Sequence, residues 1–401
     1  MRAFKKPLLS LVLVLLLLVP VSAQDTETYI LGVAQPFTGS LGSFGEDFAR
    51  GIELAVDQMN AELEAAGSPI RFEIASADTE QTPEGAARAV QTLAQTTGTQ
   101  VIVGPLTTGE VLGAKQFADE NNIVLVAPAS SGVAGGIPGD NIFRVMYPPD
   151  TFAAKAFIGI ATARGYENVV ILHVDDPFGN GLTEGFTEGF QAAGGGEVSS
   201  TAYAPDPADL ASEAAAVSAE IASLQGSGNT AFFCVCFLAD AMKLMQAAQL
   251  DPVLSTVDWM GIENLANPEI LADAGRAELL ANANFVSVSF ADASTPLTQP
   301  FVDDFVAAYG GEPGPFTNYA YDAANIAMLT MLAVGNDGQA VKSMLPFVAN
   351  HYIGTSVQAY LDDNGDQAIA VYGIYQVNED MTGFEQVGTY NGSSDSLTFD
   401  G

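Results

Sequence analysis

Short runs of β-branched and other apolar residues alternate with segments of helical periodicity along most of the chain. The run Tyr29–Ala34, for example, precedes a segment in which Phe48, Ile52 and Val56 recur at helical spacing, and the alternating stretch Arg71–Ala75 follows. Short apolar runs separated by amphipathic helices are typical of strands buried on both faces of a parallel sheet. The pattern therefore predicts an α/β fold with right-handed crossovers.

The most informative stretch is Val101–Gly132, which contains two such runs. The run Val101–Val103 leads to Thr107 and Thr108, and the run Ile123–Val126 leads to Ser130 and Ser131. Because open α/β sheets bind ligands at the carboxyl edge of their strands, these two hydroxyl loops predict one half of a small-molecule cleft. Each pair taken singly is better explained as a helix cap, which is the commonest role of such hydroxyls.

The strand–helix rhythm starts again near Tyr147. The runs Val169–Val174, Thr230–Phe237 and Thr256–Gly261 each alternate with a helical segment, so a second α/β lobe of the same kind is predicted. Two such lobes facing each other would leave a cleft between their carboxyl edges. The final polar residues, 391–401, are predicted to be loosely held.

The N-terminal segment has the features of a secretory signal. Basic residues precede the apolar run Leu8–Val19, and Val21-Ser22-Ala23 resembles a cleavage site. We expect cleavage after Ala23, a periplasmic or extracellular mature protein, and no stable membrane insertion after cleavage. The alternative is an uncleaved anchor, but the apolar run is shorter than the ~20 residues that a membrane span requires.

Acidic residues greatly outnumber basic ones. The chain has 13 Lys and Arg residues against 48 Asp and Glu residues, and its net charge is −35. A field of this sign repels nucleic acid and anionic lipid surfaces, so we expect neither as a partner. The acids are scattered and not gathered in one tail, which favours a solvated acidic surface over a specific cation-binding role.

No residue pattern indicates catalysis, a metal or a cofactor. The glycines of Gly179–Gly185 follow two acids, Asp175 and Asp176, which are unfavourable beside a pyrophosphate, so we interpret them as helix-entry glycines. Neither a nucleophile–base motif nor a metal-ligand motif is present. Cys234 and Cys236, two positions apart in a predicted strand, are poorly placed for a disulfide and are interpreted as buried thiols. We expect a binding protein and not an enzyme.

Six segments, in this order, resemble the type I periplasmic binding proteins, specifically the leucine/isoleucine/valine-binding branch of ABC-transporter receptors. They are ILGVAQPFTGSLGSFGEDFARGIELAVDQMNA, VIVGPLTTGE, IVLVAPASSG, VVILHVDDPFGNGL, WMGIENL and FTNYAYDAAN, and the resemblance extends from about Tyr29 to Val377. It implies two similar parallel-sheet α/β lobes joined by a hinge with three crossovers. The implied division is a signal peptide at 1–23, lobe I at 24–147 and 287–365, and lobe II at 148–286 and 366–401.

The resemblance also implies which residues hold a ligand. Thr108, Ala129 and Ser131 would bind an α-carboxylate, and Glu263 in WMGIEN would bind an α-amine. The remaining implied positions are aromatic walls, rim residues and a second acid near the cleft, namely Phe44, Phe178, Phe237, Phe316, Tyr321 and Asp322.

The implied function is an extracytoplasmic solute receptor that captures an aliphatic or branched-chain amino acid and delivers it to the permease subunits of an ABC transporter. Two alternatives remain open. The same fold could bind an amide, urea, a short carboxylate or an aromatic acid, or it could act as a sensory ligand-binding domain. Glu263 discriminates between the ligands, because a carboxylate favours an amine over a simple acid.

Overall fold

The computed structural model describes residues 26–224, 226–290, 295–355 and 358–400. The signal peptide predicted at 1–23 lies outside these ranges and stays a prediction. Within them, no helix combines the length and the apolar character that are needed to cross a bilayer.

The first part of the chain forms a parallel sheet of five strands. These are β1 (Glu27–Gln35), β2 (Ile70–Asp78), β3 (Val101–Val103), β4 (Val124–Val126) and β5 (Ile142–Phe143). Their order across the sheet is β2-β1-β3-β4-β5. Every residue of β3 and β4 is buried, as expected for β-branched strands covered by helices on both faces.

A second sheet repeats this winding. Its strands are β6 (Asn168–Val174), β7 (Val198–Tyr203), β8 (Thr230–Val235), β9 (Asp258–Gly261), β10 (Val286–Phe290), β11 (Val371–Val377), β12 (Phe384–Asn391) and β13 (Ser396–Phe399). They lie in the order β13-β12-β11-β10-β9-β8-β6-β7. The parallel portion, β7-β6-β8-β9-β10, has the same relative order as the first sheet.

Helices cover both sheets. They are α1 (Gly42–Ala65), α2 (Pro83–Thr97), α3 (Thr108–Asn121), α4 (Asp150–Ala163), α5 (Pro177–Ala192), α6 (Ala211–Leu224), α7 (Leu238–Ala248), α8 (Pro268–Leu271), α9 (Ala274–Asn282), α10 (Thr298–Tyr309), α11 (Thr317–Val334) and α12 (Gly338–Ala349). Helix α1 shows the helical period of the sequence directly, because Phe48, Ile52, Val56 and Met59 form its buried face.

The chain passes between the two sheets three times. It crosses from β5 to α4, from β10 to α10, and from the segment after α12 to β11. The predicted architecture of two parallel-sheet α/β lobes is therefore confirmed. The exact lobe boundaries stay a prediction, and β10 is hydrogen-bonded within the second sheet.

The antiparallel edge of the second sheet was not predicted. Strands β11, β12 and β13 pair with one another in antiparallel register, so the expectation of a loosely held tail is wrong for its described part. Leu397 of β13 packs against the second lobe's core. The run 391–401 contains two apolar residues, Leu397 and Phe399, which give a weak sequence signal. Leu397 packs on the core, whereas Phe399 is exposed.

Cys234 and Cys236 form a disulfide, so their interpretation as free thiols is wrong. The argument against a disulfide assumed strand geometry at both positions. Strand β8 ends at Val235, and the two Cα atoms lie 5.3 Å apart, which is within the range that a disulfide spans. The bridge lies at the end of β8, immediately before Phe237.

Candidate functional site

The strand order reverses direction beside β1 in the first sheet and beside β6 in the second. Such switch points are where open α/β sheets bind ligands, and a cavity of about 100 Å³ lies between them. Its walls come from the segments that follow β1, β3, β4, β5, β6, β8 and β9 and from the residue that precedes α11. Eight of the ten predicted site residues line it: Phe44, Thr108, Ala129, Ser131, Phe178, Phe237, Glu263 and Phe316.

The loop after β3 is fixed by helix capping. The Thr107 hydroxyl accepts a hydrogen bond from the Glu110 N–H, and the Glu110 carboxylate accepts one from the Thr107 N–H at 2.7 Å, which completes a capping box. The sequence interpretation of Thr107 as a cap is thus correct. Its neighbour Thr108, the first residue of α3, is left with its side chain in the cavity wall.

The loop after β4 is tied to Thr108. The Thr108 Oγ1 atom accepts a hydrogen bond from the Gly132 N–H at 2.8 Å and lies 3.2 Å from the Ser130 Oγ atom. A Cβ atom on residue 132 would lie 2.7 Å from Thr108 Oγ1, so glycine is required for this approach. The two hydroxyl loops that the sequence indicated therefore form one hydrogen-bonded unit, which we call the hydroxyl cradle (residues 107–108 and 129–132).

Arg144 supports the hydroxyl cradle from behind. Its Nη1 atom donates to the Gly132 carbonyl at 2.6 Å, and its Nε and Nη2 atoms donate to the Asp366 carboxylate at 2.6 and 2.5 Å. Both side chains of this ion pair are buried. Since Asp366 belongs to the third crossover, the cradle is anchored to the segment that links the lobes.

Glu263 enters the cavity from the opposite lobe, in the loop that follows β9. The residue is buried, and its Oε1 atom has no hydrogen-bond partner. Burial raises the pKa of the carboxyl to about 7, against the opposing effects of a backbone N–H and of the Tyr147 hydroxyl. Glu263 is thus a buried acid whose charged form the protein only partly satisfies.

Aromatic rings form the rest of the cavity wall. In the second lobe, Phe178 and Phe237 stack with their centroids 5.7 Å apart and their planes at 17°. In the first lobe, Phe316 meets Tyr147 edge to face at 5.5 Å. The backbone of Phe316 has a φ of 64°, which is rare for an aromatic residue and costs of order 1–3 kcal/mol. In this backbone conformation the Phe316 ring lies in the cavity wall, directly before α11.

Two predicted residues do not line this cavity. The Tyr321 hydroxyl donates to Gln58 at 2.6 Å, and the ring packs on Phe301. The Asp322 carboxylate accepts hydrogen bonds from the Tyr352 hydroxyl and from Thr355. Both residues follow the start of α11, and the helix turns their side chains away from the direction that Phe316 takes.

Several cavity residues were missed by the sequence analysis. Tyr147 lies at the first crossover, and Asn264 is adjacent to Glu263. Asn264 also lines a neighbouring cavity of about 130 Å³, which shares Glu263 and Phe316 with the first. Tyr147 is followed by two prolines, and this interruption of the strand–helix rhythm was the one available signal for a cleft residue.

The arrangement offers complementary partners for a small molecule with two opposite charges. Hydroxyls and the N-terminus of α3 suit a carboxylate, the Glu263 carboxylate suits an ammonium group, and the aromatic walls suit an apolar side chain. No cluster of His, Cys, Asp and Glu side chains suitable for a metal ion occurs in the described part of the chain.

Comparison with known proteins assigns the chain to one family. The model of the family described as periplasmic binding protein matches residues 28–382. Among curated relatives, the Leu/Ile/Val-binding protein homolog 3 of Brucella melitensis is 24% identical over 323 residues, which are 79% of this chain and 82% of the relative.

Two solved structures of similar fold are those of binding proteins with different ligands. The leucine-binding protein LivK of Thermotoga maritima aligns with a TM-score of 0.76 at 21% identity, over 91% of this chain and 99% of that chain. A solute-binding protein of an ABC transporter from R. palustris, in complex with benzoate, aligns with a TM-score of 0.75 at 20% identity, over 93% and 98% of the two chains. At these identities the likeness shows the fold.

Proposed function

The chain belongs to the periplasmic binding protein family, and we propose that it captures an aliphatic amino acid between its two lobes. The observation that carries this proposal is the position of Glu263. Its partly unpaired carboxyl faces the hydroxyl cradle across a cavity with aromatic walls. A zwitterionic ligand satisfies both sides at once.

The energetics favour a ligand with both charges. Hydrogen bonds to charged groups contribute ~1.5–3 kcal/mol each, and a buried charged group without a partner costs at least as much. A ligand without an ammonium group leaves Glu263 unpaired, and a ligand without a carboxylate gains nothing from the hydroxyls of the cradle or from the N-terminus of α3. The site therefore selects against both classes.

The relatives support an amino acid as the ligand. The Brucella melitensis relative is named a Leu/Ile/Val-binding protein homolog, and the Thermotoga maritima structure is that of a leucine-binding protein. We propose that this chain serves as the receptor of an ABC transporter, outside the cytoplasmic membrane, and that its hinge closes on the ligand before delivery to the permease subunits. We also propose that the ligand is bound without conversion.

An aromatic acid is the second candidate ligand. The R. palustris structure contains benzoate, and the stacked pair Phe178 and Phe237 is suited to an aromatic ring. Glu263 opposes this candidate, because a carboxylate ligand gains nothing from a buried acid and is repelled when that acid ionises.

The proposal is tested by a thermal-shift screen of the purified mature protein against the common amino acids, benzoate and short carboxylates, followed by calorimetry. A ligand at 100 times its dissociation constant adds ~2.7 kcal/mol of stability, which is readily measured. We expect shifts with aliphatic amino acids. A shift with benzoate alone would support the aromatic acid, and binding of no amino acid would contradict the proposed function.

A further inference from the structure

Asp150, the first residue of α4, is a buried acid directly behind the cavity wall. Its backbone N–H donates to the Ser131 carbonyl at 2.9 Å, and Ser131 lines the cavity. The residue is 1% exposed, and among the described residues neither carboxyl oxygen has a partner in hydrogen-bond geometry, although the Ser131 hydroxyl is near enough to interact with the carboxyl. The helix dipole favours an acid at this position, but burial without partners makes the ionised form costly.

Acidic groups dominate the surroundings of Asp150. Burial raises the pKa of its carboxyl well above the ordinary range, and Glu263 in the loop after β9 raises it further. The Ser131 hydroxyl and the Arg144 guanidinium lower this pKa, and Asp176 at the start of α5 raises it. Arg144 is already bound to Asp366 and to the Gly132 carbonyl, so it is a shared and not a dedicated partner.

Glu263 likewise has no ion pair with a Lys, Arg or His side chain in the part of the chain that the structure describes. The groups that shift its pKa are its burial, a backbone N–H and the Tyr147 hydroxyl. The phenols of Tyr147 and Tyr372 face both acids, and each has a pKa raised by burial and by the negative charge of Glu263 and Asp150. Two carboxyls in one dry region cannot both ionise without a nearby positive charge.

We propose that Asp150 and Glu263 form a buried acid pair that retains a proton in the ligand-free protein, and that the ammonium group of the ligand releases this proton when it binds. The inference rests on the proposed function, because it requires a ligand with an ammonium group. The O–H bond of the acid breaks, the proton passes to a solvent base, and the ammonium charge then compensates the carboxylate that forms. The two acids titrate as a pair and not singly.

Asp150 makes this proposal distinct from the titration of Glu263 alone. The lower pKa of the pair lies near the value of about 7 that Glu263 has, so at pH 8 the pair retains at most one proton. We expect the ligand to release that remaining proton at pH 8. Affinity should also rise with pH, by about tenfold per pH unit for each proton released.

The test is calorimetry at pH 8 in buffers of different ionisation enthalpy, which counts the protons released per ligand. L-leucine, or the amino acid with the largest shift in the screen, is the probe. We expect about one proton from the wild type and markedly less from Asp150→Asn, which keeps the shape of the side chain. The control Asp140→Asn, which changes a buried acid near Lys115 and outside the cavity lining, should match the wild type.

Each outcome of these measurements either supports or overturns the proposed acid pair. Equal proton counts for Asp150→Asn and the wild type, or no release by the wild type at pH 8, would overturn the inference while leaving amino-acid binding intact. Absence of binding by every amino acid would overturn the proposed function and this inference with it. If Asp150→Asn does not fold, the wild type alone suffices: release that persists at pH 8 supports the pair, and release that vanishes above pH 7 overturns it.

Discussion

The two walls of the cavity differ in how far their polar groups are hydrogen-bonded in the absence of a ligand. In the first lobe, the hydroxyl cradle is bonded to itself and to Arg144, so its polar groups have partners before any ligand arrives. In the second lobe, Glu263 retains an oxygen without a partner, between apolar and aromatic neighbours. The first wall is a preformed support, and the second wall contains the group that most needs a ligand.

This difference suggests how binding and selectivity are divided. A preorganised cradle loses little entropy when a carboxylate docks, which favours initial binding. A buried acid without a cation favours those ligands that supply one, which favours selectivity. Substitutions in the two walls should therefore differ in kind, and the following predictions run from the largest expected effect to the smallest.

Glu263→Gln should have the largest effect on affinity. Removing one member of a buried charge pair costs about 2–5 kcal/mol, so the affinity for an aliphatic amino acid should fall by about 30-fold or more. Calorimetry measures this loss. The control Glu269→Gln alters an exposed acid of α8 and should bind normally. Unchanged affinity in Glu263→Gln would contradict the view that the second wall selects ligands through the charge of Glu263.

The free energy of unfolding of the ligand-free protein should depend on pH because Glu263 is costly to ionise in its buried position. The folded-state pKa of about 7 lies above the unfolded value of about 4.3. The stability associated with the protonated carboxyl is therefore present below pH 4 and is lost as the pH rises through 7. Relative to Glu263→Gln, the wild type should lose up to about 3 kcal/mol between pH 4 and pH 8. Denaturant unfolding at several pH values measures the difference, and parallel pH curves would contradict it.

Thr108→Val should weaken the first wall in both binding and stability. The substitution removes the acceptor for the Gly132 N–H and leaves a buried donor without a partner, at a cost of about 1–3 kcal/mol. We expect roughly tenfold weaker binding together with a lower melting temperature. Thr108→Ser retains the hydroxyl and should bind nearly as well as the wild type. A stable variant with normal affinity would show that the cradle is not a unit.

Phe178→Leu should have the smallest effect. It removes the ring that stacks on Phe237, and such pairs contribute ~0.5–1.5 kcal/mol beyond their buried area. We expect affinity to fall by a few-fold. Phe186→Leu, in the buried core face of the same helix, should lower stability without changing affinity. Equal effects on affinity from the two variants would indicate a general packing defect and not a contact with the ligand.

The sequence was sufficient for the fold and for most of the cavity. Parallel strands buried on both faces have a strong apolar signature, and their carboxyl edges converge, so residues such as Thr108 and Phe178 could be assigned to one cleft. The disulfide depended on where β8 ends, and strand ends are the least certain part of a sequence-based assignment. The edge strand β13 depends chiefly on Leu397, which gives too weak a signal.

The direction of individual side chains and the burial of Asp150 could not be predicted from the sequence. Tyr321 and Asp322 lie in the second turn of α11, where they bind other partners, and no sequence pattern fixes the rotation of this helix relative to the cavity. Asp150 has the sequence appearance of an ordinary acid at a helix N-terminus. Its burial against Ser131 depends on how the chain passes from β5 of the first lobe to α4 of the second. This is a tertiary contact that local sequence does not reveal.

The most direct measurement compares three ligands of one carbon skeleton by calorimetry on the wild-type protein: L-leucine, 4-methylpentanoate without the amine, and 3-methylbutylamine without the carboxylate. If the two walls act as described, leucine binds, and each analogue binds about 100-fold more weakly or not at all. Binding of 4-methylpentanoate as tight as that of leucine would contradict the assigned role of Glu263. It would make the site a receptor for simple acids.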